Sequence, residues 1–229
     1  MKRSRVNDIV RQSDEFIQSF GFKLPPFAYW SPQQMKDQRA QISAIIDARL
    51  GWDITDFGDE NFDSMGLVLF TSRNGTLANL RAGTGICYAE KIMISRQDQT
   101  APMHRHITKT EDIINRGGAT LAIKMYESDS GGKLDKNAKV TVACDGIAKQ
   151  LSAGDVLKLP PGHSVTLLPG NWHEFWGEGG DVLIGEVSTV NDDLTDNIFE
   201  KPIGRFSNIE EDEEPVHLLV SDYDSWLKN

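Results

Sequence analysis

The 229-residue chain has only two cysteines, Cys87 and Cys144, too few for a disulfide framework. Both read as buried-strand thiols, and a cytoplasmic location is expected. No apolar run comes near the roughly 18 residues of a membrane span. The opening stretch MKRSRVNDIVRQSDEF has basic residues but no apolar run behind them, so no secretion signal is expected. Excess positive charge is also missing. Lys and Arg number 24 against 34 Asp and Glu, for a net charge of −10. Such a chain has no broad attraction for phosphate backbones or anionic lipid, which argues against nucleic-acid and membrane partners. The excess acids are concentrated in residues 210–214 and in Asp53, Asp56, Asp59, Glu60 and Asp63. Without those two stretches, which read as solvated loops, 24 acids face 24 bases. No internal repeat of fixed period is present. At 39% hydrophobic and 25% charged residues, the composition is that of an ordinary globular domain.

The first fifth of the chain reads as helical. Val6, Ile9, Val10, Phe16, Ile17 and Phe20 recur at mostly three- and four-residue spacing, with Gly21 as the stop. Residues 24–30, LPPFAYW, form a stiff connector that cannot continue a helix. Ser31 before Pro32 is an N-cap with Pro at the first helical position. A second helix is expected from there to about Leu50, carrying Met35, Ile42, Ile45 and Ile46. Residues 52–63, acidic and turn-rich, read as a boundary. From Met65 the period changes to short strand-like runs at 67–70, 86–94, 120–126, 140–143, 156–159, 165–168 and 182–190. Gly and Pro punctuate them, at Gly117-Gly118, Gly131-Gly132, Pro160-Pro161-Gly162, Pro169-Gly170 and 177–180. Many short strands with frequent turns predict an antiparallel sandwich or barrel.

The chemistry lies in five histidines: His104, His106, His163, His173 and His217. In a strand, positions i and i+2 share a face, so His104 and His106 can share one divalent ion. Glu111 follows five residues later. This N,N,O set suits Mn, Fe, Co, Ni or Zn. A fourth ligand must come from elsewhere, and His163 and His173, each after a tight turn, are the candidates.

These residues resemble a known pattern. His104-x-His106-x4-Glu111-x6-Gly118 is similar to the first cupin motif. Gly154-x5-Pro160-x-Gly162 and Pro169-Gly170-x-x-His173 look like pieces of the second. The usual position of the second-motif histidine is Val165 here. The spacing is restored at 169–173, so His173 is preferred over His163. The resemblance implies a mainly β, cupin-type jelly-roll β-barrel with N-terminal helices, holding one metal by three His and one Glu. The implied organisation is a helical segment at 1–62, the barrel at 63–208 and an acidic tail at 209–229 that packs on the barrel.

A closer resemblance covers nearly the whole chain. The run 24–30 before a helix, His104-Arg-His-x-x-Lys-x-Glu-Asp112, Asn171-Trp-His-Glu-Phe-Trp176, Gly185-Glu-Val-Ser-x-x-Asn191-Asp-Asp and Gly204-Arg-Phe occur in the same order in the D-lyxose isomerase family. The resemblance implies a ketol-isomerase that interconverts D-lyxose and D-xylulose, often accepts D-mannose, and uses a divalent ion, commonly Mn. It implies a free sugar as partner and, as in many cupins, a homodimer. The alternatives are a non-catalytic sugar-binding cupin and an isomerase of another, phosphorylated sugar.

Aldose–ketose isomerisation needs a base at C2 and a Lewis acid at the carbonyl. Lys109, two residues from Glu111, is one acid–base candidate. Its pKa is expected to fall beside a cation, which would let it shuttle protons. Glu186 is the other. Alternation puts Val182, Ile184, Glu186 and Ser188 on one face, and a carboxylate among apolar neighbours is costly unless paired or useful. Asp192 and Asp193, just after that strand, read either as hydroxyl-binding or as turn acids, and Asp192 is carried forward as substrate-binding. Arg205 and Trp172 complete the substrate-binding candidates, the tryptophan as a flat apolar face for a sugar.

Overall fold

The computed structural model describes residues 1–227. The early helical periodicity forms α1 (Arg3–Ser19), and its apolar stripe is buried. The second expected helix is broken. Ser31 caps α2 (Pro32–Asp37) through a capping box with Gln34. The chain then turns at residues 38–41 and resumes as α3 (Ser43–Asp47). Tertiary contact overrides helix propensity here: Arg39 Nε donates to the carbonyl of Leu227 at 3.1 Å. Met35 and Ile42 on either side of the break enter one cluster with Leu218 and Val220. Two further short helices are α4 (Leu77–Ala82) and α5 (Tyr223–Trp226).

The described strands are β1 (Gly51–Thr55), β2 (Leu67–Arg73), β3 (Tyr88–Ser95), β4 (Ala101–His106), β5 (Glu111–Ser128), β6 (Leu134–Asp135), β7 (Val140–Cys144), β8 (Ile147–Leu151), β9 (Val156–Leu159), β10 (Ser164–Leu167), β11 (Trp172–Thr189) and β12 (Asn197–Phe199). The segment 52–63 is therefore not all turn. Its first residues lie in β1, buried throughout and paired with β2.

The paired 18-residue strands β5 and β11 organise everything else. The first half of β5 pairs with the second half of β11, flanked by β3 on one side and β10 on the other. The opposite halves pair with each other and are flanked by β4 and β9. The two long strands thus pass from one antiparallel layer to the other, and the layers close into the expected mainly β jelly-roll barrel. Glycines permit the bend. The register jumps between Glu178 and Val182, opposite Thr120 and Gly118. A Cβ on Gly118, at φ +91°, would meet the carbonyl oxygen of Asp181 at 2.2 Å, so glycine is needed for this bulge. The Gly pairs at 117–118 and 179–180 sit inside strands as bends, where they had read as turns between strands.

The period-two alternation divides the side chains. Leu67, Leu69, Met93, Ile113, Leu121, Ile123, Val182 and Ile184 fill the barrel. Val68, Phe70, Ile92 and Ile94 face outward against Val6, Ile9, Val10 and Ile17 of α1. Cys87 precedes β3 and Cys144 ends β7, and both are only half-buried free thiols.

The acidic run 210–214 is exposed but not free. Glu210 exchanges backbone hydrogen bonds with Met1 and Arg3. Asp212 accepts from the backbone and hydroxyl of Ser4, and Glu213 from Asn7. Negative charge at the start of α1 also suits the helix dipole. Arg3, fully buried, donates to Glu211 at 2.6 Å and to Asp222 at 2.9 Å. Arg3→Ala leaves Asp222 buried without its cation. The expected cost is about 3 kcal/mol, the range for breaking a buried pair on one side. A lowered urea midpoint with an unchanged slope checks it.

Candidate active site

One cavity opens between the two layers and encloses about 490 Å3 counting its mouth. His104 and His106 enter it from β4, and His173 enters from β11. His173 is the register partner of His104. Nitrogens of these three rings lie within 4.8 Å of one another. Glu111, first residue of β5, brings Oε1 to 3.2 Å from His106 Nε2 and 3.3 Å from His173 Nε2.

The rings are oriented from behind. The Nδ1 atoms of His104 and His173 lie 2.8 and 3.2 Å from the carbonyl oxygens of Pro102 and Asn171. Donation from Nδ1 leaves each Nε2 as a lone pair, the arrangement a metal ligand needs. Burial, with His173 and His106 nearby, holds the His104 pKa well below its usual value. Burial also lowers that of His173, to about 4, against the opposing pull of Glu111. Both rings are therefore neutral at pH 7. Glu111 Oε1 and both His106 nitrogens are buried without a hydrogen-bond partner. Buried polar atoms are rarely left so, and a cation would satisfy this donor set. The residues fit a divalent metal.

The second half of the site adjoins the first. Lys109 Nζ lies 2.6 Å from Glu111 Oε2 and 3.0 Å from Glu186 Oε1. Glu186 faces the barrel, on the same face as Val182 and Ile184. Ser188 Oγ donates to it at 3.1 Å, and Lys91 Nζ stands 3.5 Å away. Burial opposes every one of these charges, but the neighbours prevail. Lys109 and Lys91 hold Glu186 below its ordinary pKa, and Lys109 and His106 hold Glu111 well below. Glu111 and Glu186 raise Lys109. Without a bound cation, the two carboxylates favour the ammonium form of Lys109.

Of the substrate-binding candidates, only Arg205 reaches the cavity. It pairs with Asp53 at 2.8 Å and Asp193 at 3.2 Å, and its Nη1 has no partner. Asp193 lines the cavity, and Arg205 keeps it ionised against burial. Asp192 does not line it. Its carboxylate accepts from the backbone of Leu194 and Thr195 and from the Thr195 hydroxyl, which makes it the turn acid of the pair. Trp172 is buried on the opposite face of β11 from His173, with the Arg105 guanidinium 5.4 Å over its ring. His163 is exposed, with Nδ1 2.7 Å from Asp145 Oδ2. His217 Nδ1 meets the carbonyl of Trp30.

Sequence reasoning missed Lys91, 3% exposed and held by Asn191 Oδ1 at 2.6 Å. The available signal was its place in β3, two residues before the core residue Met93. It also missed Asp53, read as a loop acid but buried on β1 beside Arg205.

With this geometry in view, similarity to known proteins is informative. A family model described as D-lyxose isomerase matches residues 1–223. The chain belongs to the D-lyxose isomerase family. It is 49% identical over 228 residues to a D-lyxose/D-mannose isomerase of Serratia proteamaculans, covering 97% of this chain and 98% of that one. It is 45% identical over 226 residues to a protein of the same name from Escherichia coli O157:H7, with the same coverage. Family membership makes it an aldose–ketose isomerase. Among solved structures it is similar to the Cellulomonas parahominis L-ribose isomerase with L-psicose, at a TM-score of 0.63 and 14% identity, covering 92% of this chain and 98% of that one. The Geodermatophilus obscurus L-ribose isomerase gives 0.62 at 15% identity over the same shares. These two likenesses speak for the cupin-type fold. No helix among the described residues is long and apolar enough to cross a membrane.

Proposed function

We propose that this isomerase acts on free D-lyxose and D-mannose with a divalent ion, manganese by preference, held by His104, His106, His173 and Glu111. The observation that carries the reading is the adjacency of two sets in one cavity. Buried, unpartnered metal-type donors lie against the Lys109–Glu186 pair, only 3.0 Å apart. The sugar names come from the curated relatives, and manganese comes from the family resemblance. A cytoplasmic homodimer is part of the same proposal. Sedimentation of the purified protein tests the oligomer.

Bound there, such an ion supplies Lewis acidity towards a sugar carbonyl and the neighbouring hydroxyl. The chain's own groups handle the protons. Glu186, held as a carboxylate, takes the proton from C2 and returns it at C1. Lys109, held as an ammonium, gives a proton to O1 and recovers one from O2. Asp193 and the free Nη1 of Arg205 offer an acceptor and a donor to hydroxyls further along the sugar. A phosphorylated sugar is disfavoured. Lys109 and Arg205 are each engaged by carboxylates, and Lys91 is held by Asn191 beside Glu186. Among the described residues, these cavity cations form no spare cluster for a phosphate.

Chelation is expected to abolish ketose formation from D-lyxose and D-mannose, and added manganese to restore it. A ketose assay with metal analysis checks this. No turnover with Mn, Co, Ni or Fe would overturn the reading.

A further inference from the structure

Lys109 is not on a strand. It sits in the segment 107–110 that joins β4 to β5, and a connection of that kind is ordinarily among the more mobile parts of a fold. Yet its ammonium must stay between two carboxylates. Thr110 is tied to Thr189 on β11, and what holds the three residues before it is one side chain from far along the chain. Asp196, 5% exposed, accepts three successive backbone N–H groups. Ile107 and Thr108 donate to Oδ1 at 3.1 and 2.7 Å, and Lys109 donates to Oδ2 at 3.1 Å. The carbonyl of Asp196 takes Ile107 N as well, at 3.2 Å. Successive N–H groups converging on one carboxylate make an anion nest, and charge-assisted bonds of this kind are the strong ones.

The short segment 191–196 that carries Asp196 also serves the other cations of the cavity. Asn191 holds Lys91, and Asp193 holds Arg205. Asp196 completes the set by acting on backbone and not on an ammonium. It does not line the cavity, so it acts on the reaction only through another residue.

We infer that Asp196 is a positioning residue that locks the 107–109 backbone and so places Lys109 for proton transfer. The inference rests on the role proposed for Lys109. It requires that loss of Asp196 lower kcat while leaving KM nearly unchanged. A displacement of about 1 Å at a reacting group costs about 100-fold in rate.

The test uses full-length Asp196→Ala and Asp196→Asn proteins with saturating manganese, and amide hydrogen exchange on the metal-free forms. For Asp196→Ala, the expected result is a kcat about 100-fold lower, KM within about threefold, and faster exchange at Ile107, Thr108 and Lys109. Asp196→Asn keeps one acceptor oxygen for Ile107 and Thr108. It should recover most of the exchange protection there and an intermediate kcat, even if the alanine variant fails to fold. Unchanged exchange at these three amides overturns the inference. So does a kcat loss accompanied by loss of bound metal, since Asp196 Oδ2 also lies 3.7 Å from His106 Nδ1. If the unsubstituted protein turns over no sugar, the functional reading fails, while the exchange data still decide whether Asp196 locks the segment.

Discussion

Glu186→Gln is expected to lower kcat on D-lyxose by about 10³-fold, the middle of the range for removing a positioned general base. The substitution keeps shape and hydrogen-bonding capacity but removes the basic oxygen. Lys109 keeps Glu111 at 2.6 Å, and Lys91, although it loses its carboxylate partner, keeps its hydrogen bond to Asn191 at 2.6 Å. Bound metal should remain at one ion per chain, because Glu186 is not in the histidine group. Steady-state kinetics with metal analysis reads both quantities. Solvent deuterium gives an independent reading. Proton transfer through Glu186 predicts deuterium in the ketose at C1, and none in the residual turnover of the variant above the uncatalysed rate. A variant within tenfold of the parent kcat would remove Glu186 from the role of base. Absence of deuterium from the parent reaction would do the same, by pointing to a hydride shift.

How far this site was readable in the sequence depends on the range of the information each residue needs. His104, His106 and Glu111 lie within eight residues: strand periodicity puts the two histidines on one face of β4, and the short link 107–110 brings Glu111 in at the start of β5. Glu186 is similar: alternation with Val182 and Ile184 puts it inside whichever barrel those residues fill. The same rule, applied one residue further, separates Trp172 from His173, since neighbours in a strand face opposite ways. Asp192 and Asp193 show where local reasoning stops. Which of two adjacent acids enters the cavity depends on where the turn at 192–195 falls, and Thr195 decides it by bonding to Asp192.

Lys91 and Asp53 needed more than that. A lysine in a short strand has the same local signature at an exposed edge as in a core. Only the arrival of Glu186 on the neighbouring strand, 95 positions later, gives its charge a partner. Asp53 waits in the same way for Arg205. The fold follows a similar division. Turn glycines and strand periods announced a β-barrel, but the pairs at 117–118 and 179–180 could as easily end strands as bend them. The choice is made by the neighbour across the ladder, where the oxygen of Asp181 leaves no room for a side chain at Gly118.

His173→Ala should weaken metal binding by about 100-fold, whereas His163→Ala should change it less than twofold. The estimate for His173 divides the roughly 12 kcal/mol of a four-ligand structural zinc site among its ligands. About 3 kcal/mol each corresponds to about two decades in Kd. His163 stands outside this accounting. It is exposed, its partner is Asp145, and no nitrogen of its ring belongs to the histidine group. Two turns, at 160–162 and 169–170, each deliver a histidine, and the turns alone do not separate them. The strand that follows does. His163 precedes β10 at the surface, while His173 is the second residue of β11, directly across from His104. Titration of metal-free protein with manganese, read by calorimetry, compares the two variants with the parent. An empty site in His163→Ala with a full one in His173→Ala would invert the assignment. The expected order makes His173→Ala inactive at low micromolar metal and partly recoverable as the metal is raised, because His104, His106 and Glu111 still converge on the same point.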